Sequence, residues 1–334
     1  MGHTLRWDER PPLFENPVRT RGLIIGLAIV AAVSELAGAT ALLVWRNGSA
    51  TQPLTLLDHT PFTSFLIPAL LLGAVVGGTS IVCAVLVWRR SSIAIDATVL
   101  AGGALTVWIV AEVALMRSFH LLHAIFGALG VALLALGVRA AWSSGLRRHR
   151  WLVTVTAAET IGYLAPTLTG VLTAKAGIED ERQAVAIVAA GFIEGLVLGA
   201  GQAWALPIAV RRVRYAIVTS MGAGLVWASV MTMMSVGPRP LLIACVAIIG
   251  LGAIGSMQWL ELRHQAERAW SWIPWTGLAW TLALPLSFAP APLVDENTPL
   301  PSHLVLWGCG GLLMAYVMTL ITWQGAKRLR PRAV

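Results

Sequence analysis

The chain has 334 residues, of which 12% are charged and 57% belong to the set Ala, Val, Ile, Leu, Met, Phe, Trp, Tyr and Cys. A soluble chain carries about 25% charged residues, so this composition cannot coat a folded body of that length in water. It also excludes disordered, coiled-coil and disulfide-scaffold classes, and leaves a helical protein that crosses a membrane many times. The net charge of +8 would suit a polyanion binder. The basic residues, however, sit in short clusters between apolar runs, so no nucleic-acid partner is expected.

Residues 1–21 are polar and contain Pro11-Pro12. They are expected to form a flexible or interfacial cytoplasmic segment, and the apolar run after them is too long for a cleaved leader. A hydrocarbon core about 30 Å thick needs roughly 20 residues at about 1.5 Å each. Ten runs meet that length: 22–45, 63–88, 92–116, 119–142, 151–174, 184–210, 215–235, 240–262, 271–289 and 303–326. The predicted fold is an all-α polytopic membrane protein with about ten transmembrane helices. Cys83, Cys245 and Cys309 all lie inside these runs and make no Cys-x-x-Cys pattern, so they read as core residues. Asn47-Gly48-Ser49 reads as a turn.

With the amino terminus inside, the polar segments on the cytoplasmic side hold 19 Lys and Arg, and the outer segments hold five. Cytoplasmic loops concentrate basic residues, so both termini are predicted to be cytoplasmic. Arg outnumbers Lys by 22 to 2, which points to a GC-rich bacterial genome and hence to the plasma membrane. Trp45, Trp88, Trp142, Trp151, Trp270, Trp272 and Trp323 lie near run ends, where interfacial anchors belong.

Arg147-Arg148-His149-Arg150 divides the chain into a four-helix module, 22–145, and a six-helix module, 146–334. The second module repeats. Gly199, Gly255 and Gly311 are spaced by 56 residues, and so are Gln202, Gln258 and Met314 three positions later. Ser220 and Thr276 share that spacing, with Thr156 as their counterpart once eight extra residues in the loop 175–183 are allowed for. Three hairpins follow: 151–210, 215–262 and 271–326. Gly73-x-x-x-Gly77 and Gly195-x-x-x-Gly199 are small-residue faces of the kind that lets helices pack closely in lipid.

Thr60-Pro61-Phe62 and Phe65-Leu66-Ile67-Pro68 give the first module a resemblance to small four-span bacterial membrane proteins of unassigned role. The hairpins, through Gly199-x-x-Gln202 and Gly255-x-x-Gln258-Trp259, resemble a second bacterial repeat family of the same standing. These motifs concern packing and imply no activity. The three-hairpin plan is similar to that of mitochondrial carriers in architecture only, since their Pro-x-Asp/Glu-x-x-Lys/Arg signatures are missing.

Ionisable groups inside spans are functional hypotheses by default. Glu35, Asp96, Glu112, Glu159 and Glu194 fall within runs, and Glu261 is close enough to the cytoplasmic end to snorkel. Glu194 and Glu159 sit at similar depth in neighbouring runs and are expected to face each other. At the repeat spacing Glu194 corresponds to Gly250 and Leu306, and Glu159 to Ala223 and Ala279, so hairpin packing does not require the acids. They are the candidate proton- or ion-responsive groups, with Gln202 and Gln258 as candidate polar lining. A second, outer cluster gathers Glu35, Glu112, Arg117, His120 and His123. Its expected core is an Arg117–Glu112 ion pair, and His-x-x-His is a weak metal pattern. Asp96 is expected to pair near Arg89 and Arg90 or to snorkel.

No metal and no cofactor are expected, and catalysis is disfavoured, because no nucleotide-binding, nucleophile-elbow or haem motif is present. Three function classes stand side by side. A small-solute or proton-linked transporter-like protein would use the two glutamates. A structural or assembly subunit of a membrane or envelope complex would use its polar groups for packing, with another membrane protein as partner. A membrane-embedded metal-dependent enzyme would use the outer cluster. In all three the lipid bilayer is the main surrounding.

Overall fold

The computed structural model describes residues 17–50, 52–60, 62–145, 147–178, 180–236, 252–294 and 298–332. These form α1 (Pro17–Val44), α2 (Leu66–Trp88), α3 (Ala94–Met116), α4 (Leu121–Ser143), α5 (Arg147–Lys175), α6 (Asp180–Ala205), α7 (Arg212–Val236), α8 (252–262), α9 (Trp272–Ser287) and α10 (Leu300–Ala326). A two-residue antiparallel ladder, β1 (Ala266–Glu267) with β2 (Arg330–Pro331), is the only sheet among the described residues. Seven helices, α1–α4, α6, α7 and α10, are long and apolar enough to cross a membrane. The fold is that of a multi-pass helical membrane protein.

Two of the ten apolar runs give helices short of that standard for separate reasons. In α5 the apolar residues are diluted by threonines, Glu159 and Pro166. α9 has only 16 helical residues. The run 240–262 lies partly outside the described residues, as do Asp295 and Glu296 of the outer loop 290–302. Helix α1 begins at Pro17, so the last part of the polar start 1–21 is helical. The middle of α2 widens into a π-helix over Leu71–Gly77, a local irregularity that tends to appear where a helix is under a functional or packing demand.

The chain divides into two compact units, Met1–His149 and Arg150–Val334. In the first, glycines set the helix contacts. A methyl group added at Gly73 would lie 3.1 Å from Ala39 Cβ on α1, and one at Gly102 would lie 2.2 Å from the Leu134 backbone nitrogen on α4. Lipid tails solvate apolar side chains as well as protein does, so close backbone packing has to supply the association energy. At one end of this unit Asp96 takes up Arg148 and His149, at 2.9 and 3.4 Å, rather than Arg89 or Arg90. His149 Nδ1 lies 3.1 Å from Ser144 Oγ. Burial pushes the His149 imidazole below its ordinary value, with Asp96 opposing and Arg148 adding to the shift.

In the second unit the contacts run from helix to helix and return to the start. Gly162 on α5 admits the Glu194 backbone of α6. Gly195 and Gly199 on α6 admit Ser220, Ala216 and Thr219 of α7. Gly222 on α7 admits Ile254 of α8, and Gly255 on α8 admits Ile273 and Thr276 of α9. Gly310 on α10 meets Ser287 of α9, and Gly311 meets Tyr163 of α5.

Two tryptophans expected at the interface prove to be core. Trp151 and Trp272 are fully buried and meet edge to face at 6.0 Å. Each spends its indole N–H inside the bundle, on Thr319 O at 3.2 Å and Gln258 Oε1 at 2.6 Å. Trp45, Trp88, Trp142 and Trp270 are exposed.

At Gly195 an added methyl group would sit 2.6 Å from both Ala223 Cβ and Ser220 Cα. Overpacking of this kind costs about 1–3 kcal/mol. Gly195→Val is expected to lower the thermal unfolding midpoint of the detergent-solubilised protein, whereas Gly103→Val, where the same atom meets nothing within 4 Å, should leave it nearly unchanged.

Candidate functional site

Glu159 stands one helical turn before Gly162 on α5. Because Gly162 has no side chain, the α6 backbone at Glu194 comes so close that an added methyl group would lie 3.0 Å from Glu194 O. That approach brings the two acids together. Their carboxyls are near enough to act on each other as charges and to share a hydrogen bond when one carries a proton. Glu159 is fully buried and Glu194 is 3% exposed. As placed, neither Glu159 oxygen meets a partner at hydrogen-bonding geometry. Among the described residues no Lys, Arg or His forms an ion pair with either acid.

A third helix completes the site. Trp227 of α7 donates its indole N–H to Glu194 Oε2. Its ring fits the notch left by Gly191, where an added methyl group would lie 2.2 Å from Trp227 Cδ1. Gly191 precedes Glu194 by three residues, a little under one helical turn, so the ring and the carboxylate share a face. Beside them is a cavity of about 20 Å³, room for about one water molecule. Glu194, Tyr163, Trp227, Trp280, Phe288 and Met314 contribute to its wall, and aliphatic side chains supply the rest.

Gln202 and Gln258 are absent from that wall. They bond to each other instead, Gln258 Nε2 donating to Gln202 Oε1 at 2.6 Å and to Thr219 Oγ1 at 3.0 Å. Trp272 donates to Gln258 Oε1, and Tyr215 OH lies 3.4 Å from Gln202 Oε1. Both glutamines are buried, as is Met314 at the third equivalent position. The group is a buried polar clamp across α6, α7, α8 and α9. Glu261, expected to snorkel, is buried near it and held by Gln265 at 2.6 Å and Arg214 at 3.7 Å.

In the first unit the outer cluster is only partly assembled. Glu112 Oε2 lies 3.8 Å from His123 Nε2, and Arg117, expected to pair with Glu112, is instead exposed in a left-handed backbone conformation. His123 Nδ1 accepts the His120 backbone N–H at 3.0 Å. This is a capping box, with histidines in the places usually taken by Ser/Thr and Glu/Gln. His-x-x-His therefore caps α4, and His123 Nδ1 is taken up by the cap. Glu35 is buried apart from this group and faces Ser80 of α2. Among the described residues no set of three or more His, Cys, Asp or Glu is placed to hold a metal ion.

No family model matches the chain, and neither does any curated protein or solved structure.

Reasoning from sequence missed Trp227 and Tyr163. A signal for them was available. Aligning Thr156 with Ser220, 64 residues apart, also aligns Tyr163 with Trp227, so aromatic rings occupy one repeat position in two hairpins.

Removing the amide at Gln258 would strand the Trp272 N–H and leave Gln202 Oε1 with only the 3.4 Å contact from Tyr215 OH. Interhelical hydrogen bonds in membrane proteins are worth about 0.6 kcal/mol each on average, and a stranded buried group costs about 1–3 kcal/mol. Gln258→Leu is therefore expected to destabilise the protein by about 2 kcal/mol in reversible unfolding. Met314→Leu, a nearly volume-conserving change at the equivalent position, should cost less than about 1.5 kcal/mol.

Proposed function

We propose that the protein is a proton-linked, transporter-like carrier of the plasma membrane, with Glu159 and Glu194 as its proton-binding pair. On this reading the chain crosses the bilayer ten times with both termini in the cytoplasm, and residues 146–334 are three repeated hairpins built around the pair. The 19-to-5 partition of basic residues supports that orientation. The glycine contacts that pass round the second unit and return to α5 support the repeat.

The observation that carries the reading is the burial of two neighbouring acids that pair with no cation among the described residues. If the pair only fastened helices, neutral amides would do it at lower cost, and the same bundle already fastens helices that way at Gln202 and Gln258. Two carboxyls are worth their expense where a proton has to be held and released. Glu194 is among the residues that line the cavity, and Glu159 is not.

The small cavity favours a second reading, in which the protein is a structural or assembly subunit and its polar groups specify packing. The two readings part on titration. In vesicles reconstituted with the purified chain and loaded with a pH-sensitive dye, an imposed proton gradient should drive dye response above that of empty vesicles. Glu159→Gln and Glu194→Gln should each reduce it to the empty-vesicle level while protein yield and unfolding midpoint are retained. Unchanged response in both variants would remove the carrier reading and leave the structural one.

A further inference from the structure

Six basic side chains gather where the second unit fastens its chain end to an earlier loop. Residues 263–268 follow α8 and residues 327–332 follow α10, and the β1–β2 ladder joins them, Ala266 against Pro331 and Glu267 against Arg330. Arg332 adds two bonds across the same seam, its backbone N–H to Gln265 O at 3.0 Å and its guanidinium to Arg263 O at 3.2 Å. Ala266, Ala269 and Leu329 belong to the apolar core of the unit, so the seam is rooted rather than loose. Arg263, Arg268, Lys327, Arg328, Arg330 and Arg332 are all exposed, and Glu267 is the one acid in the two segments. Among the described residues none of the six forms an ion pair. A fold that gathers like charges without carboxylates leaves them for an anion from outside.

Two features specify that anion. The first is the donor type. Arg328 lies over the Trp275 ring at 4.7 Å and Arg263 over the Trp259 ring at 5.3 Å. A guanidinium stacked on a ring keeps N–H donors at its edge, and that planar fork matches the oxygens of a phosphate. The second is depth. Lys327 directly follows Ala326, the last residue of α10, a helix able to span the bilayer. Trp270, two residues after Arg268, is 65% exposed. An exposed indole beside basic residues at the end of a span belongs at headgroup level, whereas a water-soluble polyanion would have no use for the ring. We propose that this clasp docks the phosphate of anionic phospholipid headgroups. Clusters of about four to eight Lys and Arg beside a span attract anionic lipid, and here the ladder holds two such segments together as one surface. The inference stands apart from the carrier reading, since it uses neither the acid pair nor the cavity.

Phosphatidylglycerol is the probe, and phosphatidylcholine with the same acyl chains is the reference. Each is titrated into the delipidated full chain in detergent, and bound lipid is counted by native mass spectrometry. The native chain is expected to bind phosphatidylglycerol about tenfold more tightly. The triple variant Arg268→Gln/Lys327→Gln/Arg330→Gln, whose side chains are not among those that fasten the seam, should lose the preference and keep the unfolding midpoint. Arg330→Gln alone, the smallest change, should already weaken phosphatidylglycerol binding by about threefold. Arg89→Gln/Arg90→Gln/Arg139→Gln removes the same charge from exposed positions in the first unit and should retain the preference. Equal affinity of the native chain for the two lipids, a preference retained in both clasp variants, or an equal loss in the first-unit variant would overturn the inference. Release of bound phosphatidylglycerol by millimolar inorganic phosphate would make this a site for free phosphate, and release by polyglutamate a site for an acidic protein; either would overturn the lipid assignment.

Discussion

Two like charges about 4 Å apart repel by about 4 kcal/mol at an effective dielectric constant of about 20, and the cost of stripping their water comes on top of that. Glu159 and Glu194 are neighbours inside a bundle that, among the described residues, gives them no basic partner, while Trp227 gives Glu194 an indole N–H. The pair can exist there with at most one charge, and the surrounding structure is arranged to make even that bearable. Gly162 opens the backbone so that α5 and α6 come close at the two acids. Gly191 opens a notch so that Trp227 can reach Glu194.

The same small residues that build the bundle therefore also build the site. In water, burial of large apolar side chains would have held these helices. In lipid that term nearly vanishes, and contact between backbones takes over. The consequence for chemistry is geometric precision, because a glycine notch admits one ring orientation and one helix separation. The glutamine clamp a few turns away makes the complementary point. Gln202, Gln258, Thr219, Tyr215 and Trp272 hydrogen-bond to one another in the buried interior, so polarity alone does not mark a path for solute.

Much of this was written plainly in the sequence, and the reasons for the rest are physical. Long apolar runs predicted the spanning helices, because nothing but a helix satisfies the backbone in lipid. Run length overstated α9, where helical residues and apolar residues do not coincide. The spacing of Glu159 and Glu194 placed them opposite each other, since depth along antiparallel helices follows from residue count. Side-chain partners were harder to see. His120 and His123 looked like a weak ligand pair, but a helix start gives the same spacing a capping role. Asp96 chose Arg148 and His149 over the nearer Arg89 and Arg90, because tertiary packing and not sequence distance brings those groups to it. Trp151 and Trp272 sit at run ends as anchors would, yet facing helices close over them.

The central claim is that the pair holds a proton at neutral pH in the folded protein. Infrared difference spectroscopy between the native chain and the double variant Glu159→Gln/Glu194→Gln tests it directly. The account predicts a protonated carboxylic C=O band at neutral pH in the native protein that is missing from the variant, and that fades at higher pH as the coupled pair gives up its proton. Identical carboxyl regions in the two spectra at neutral pH would mean that both acids are ionised, and would contradict it.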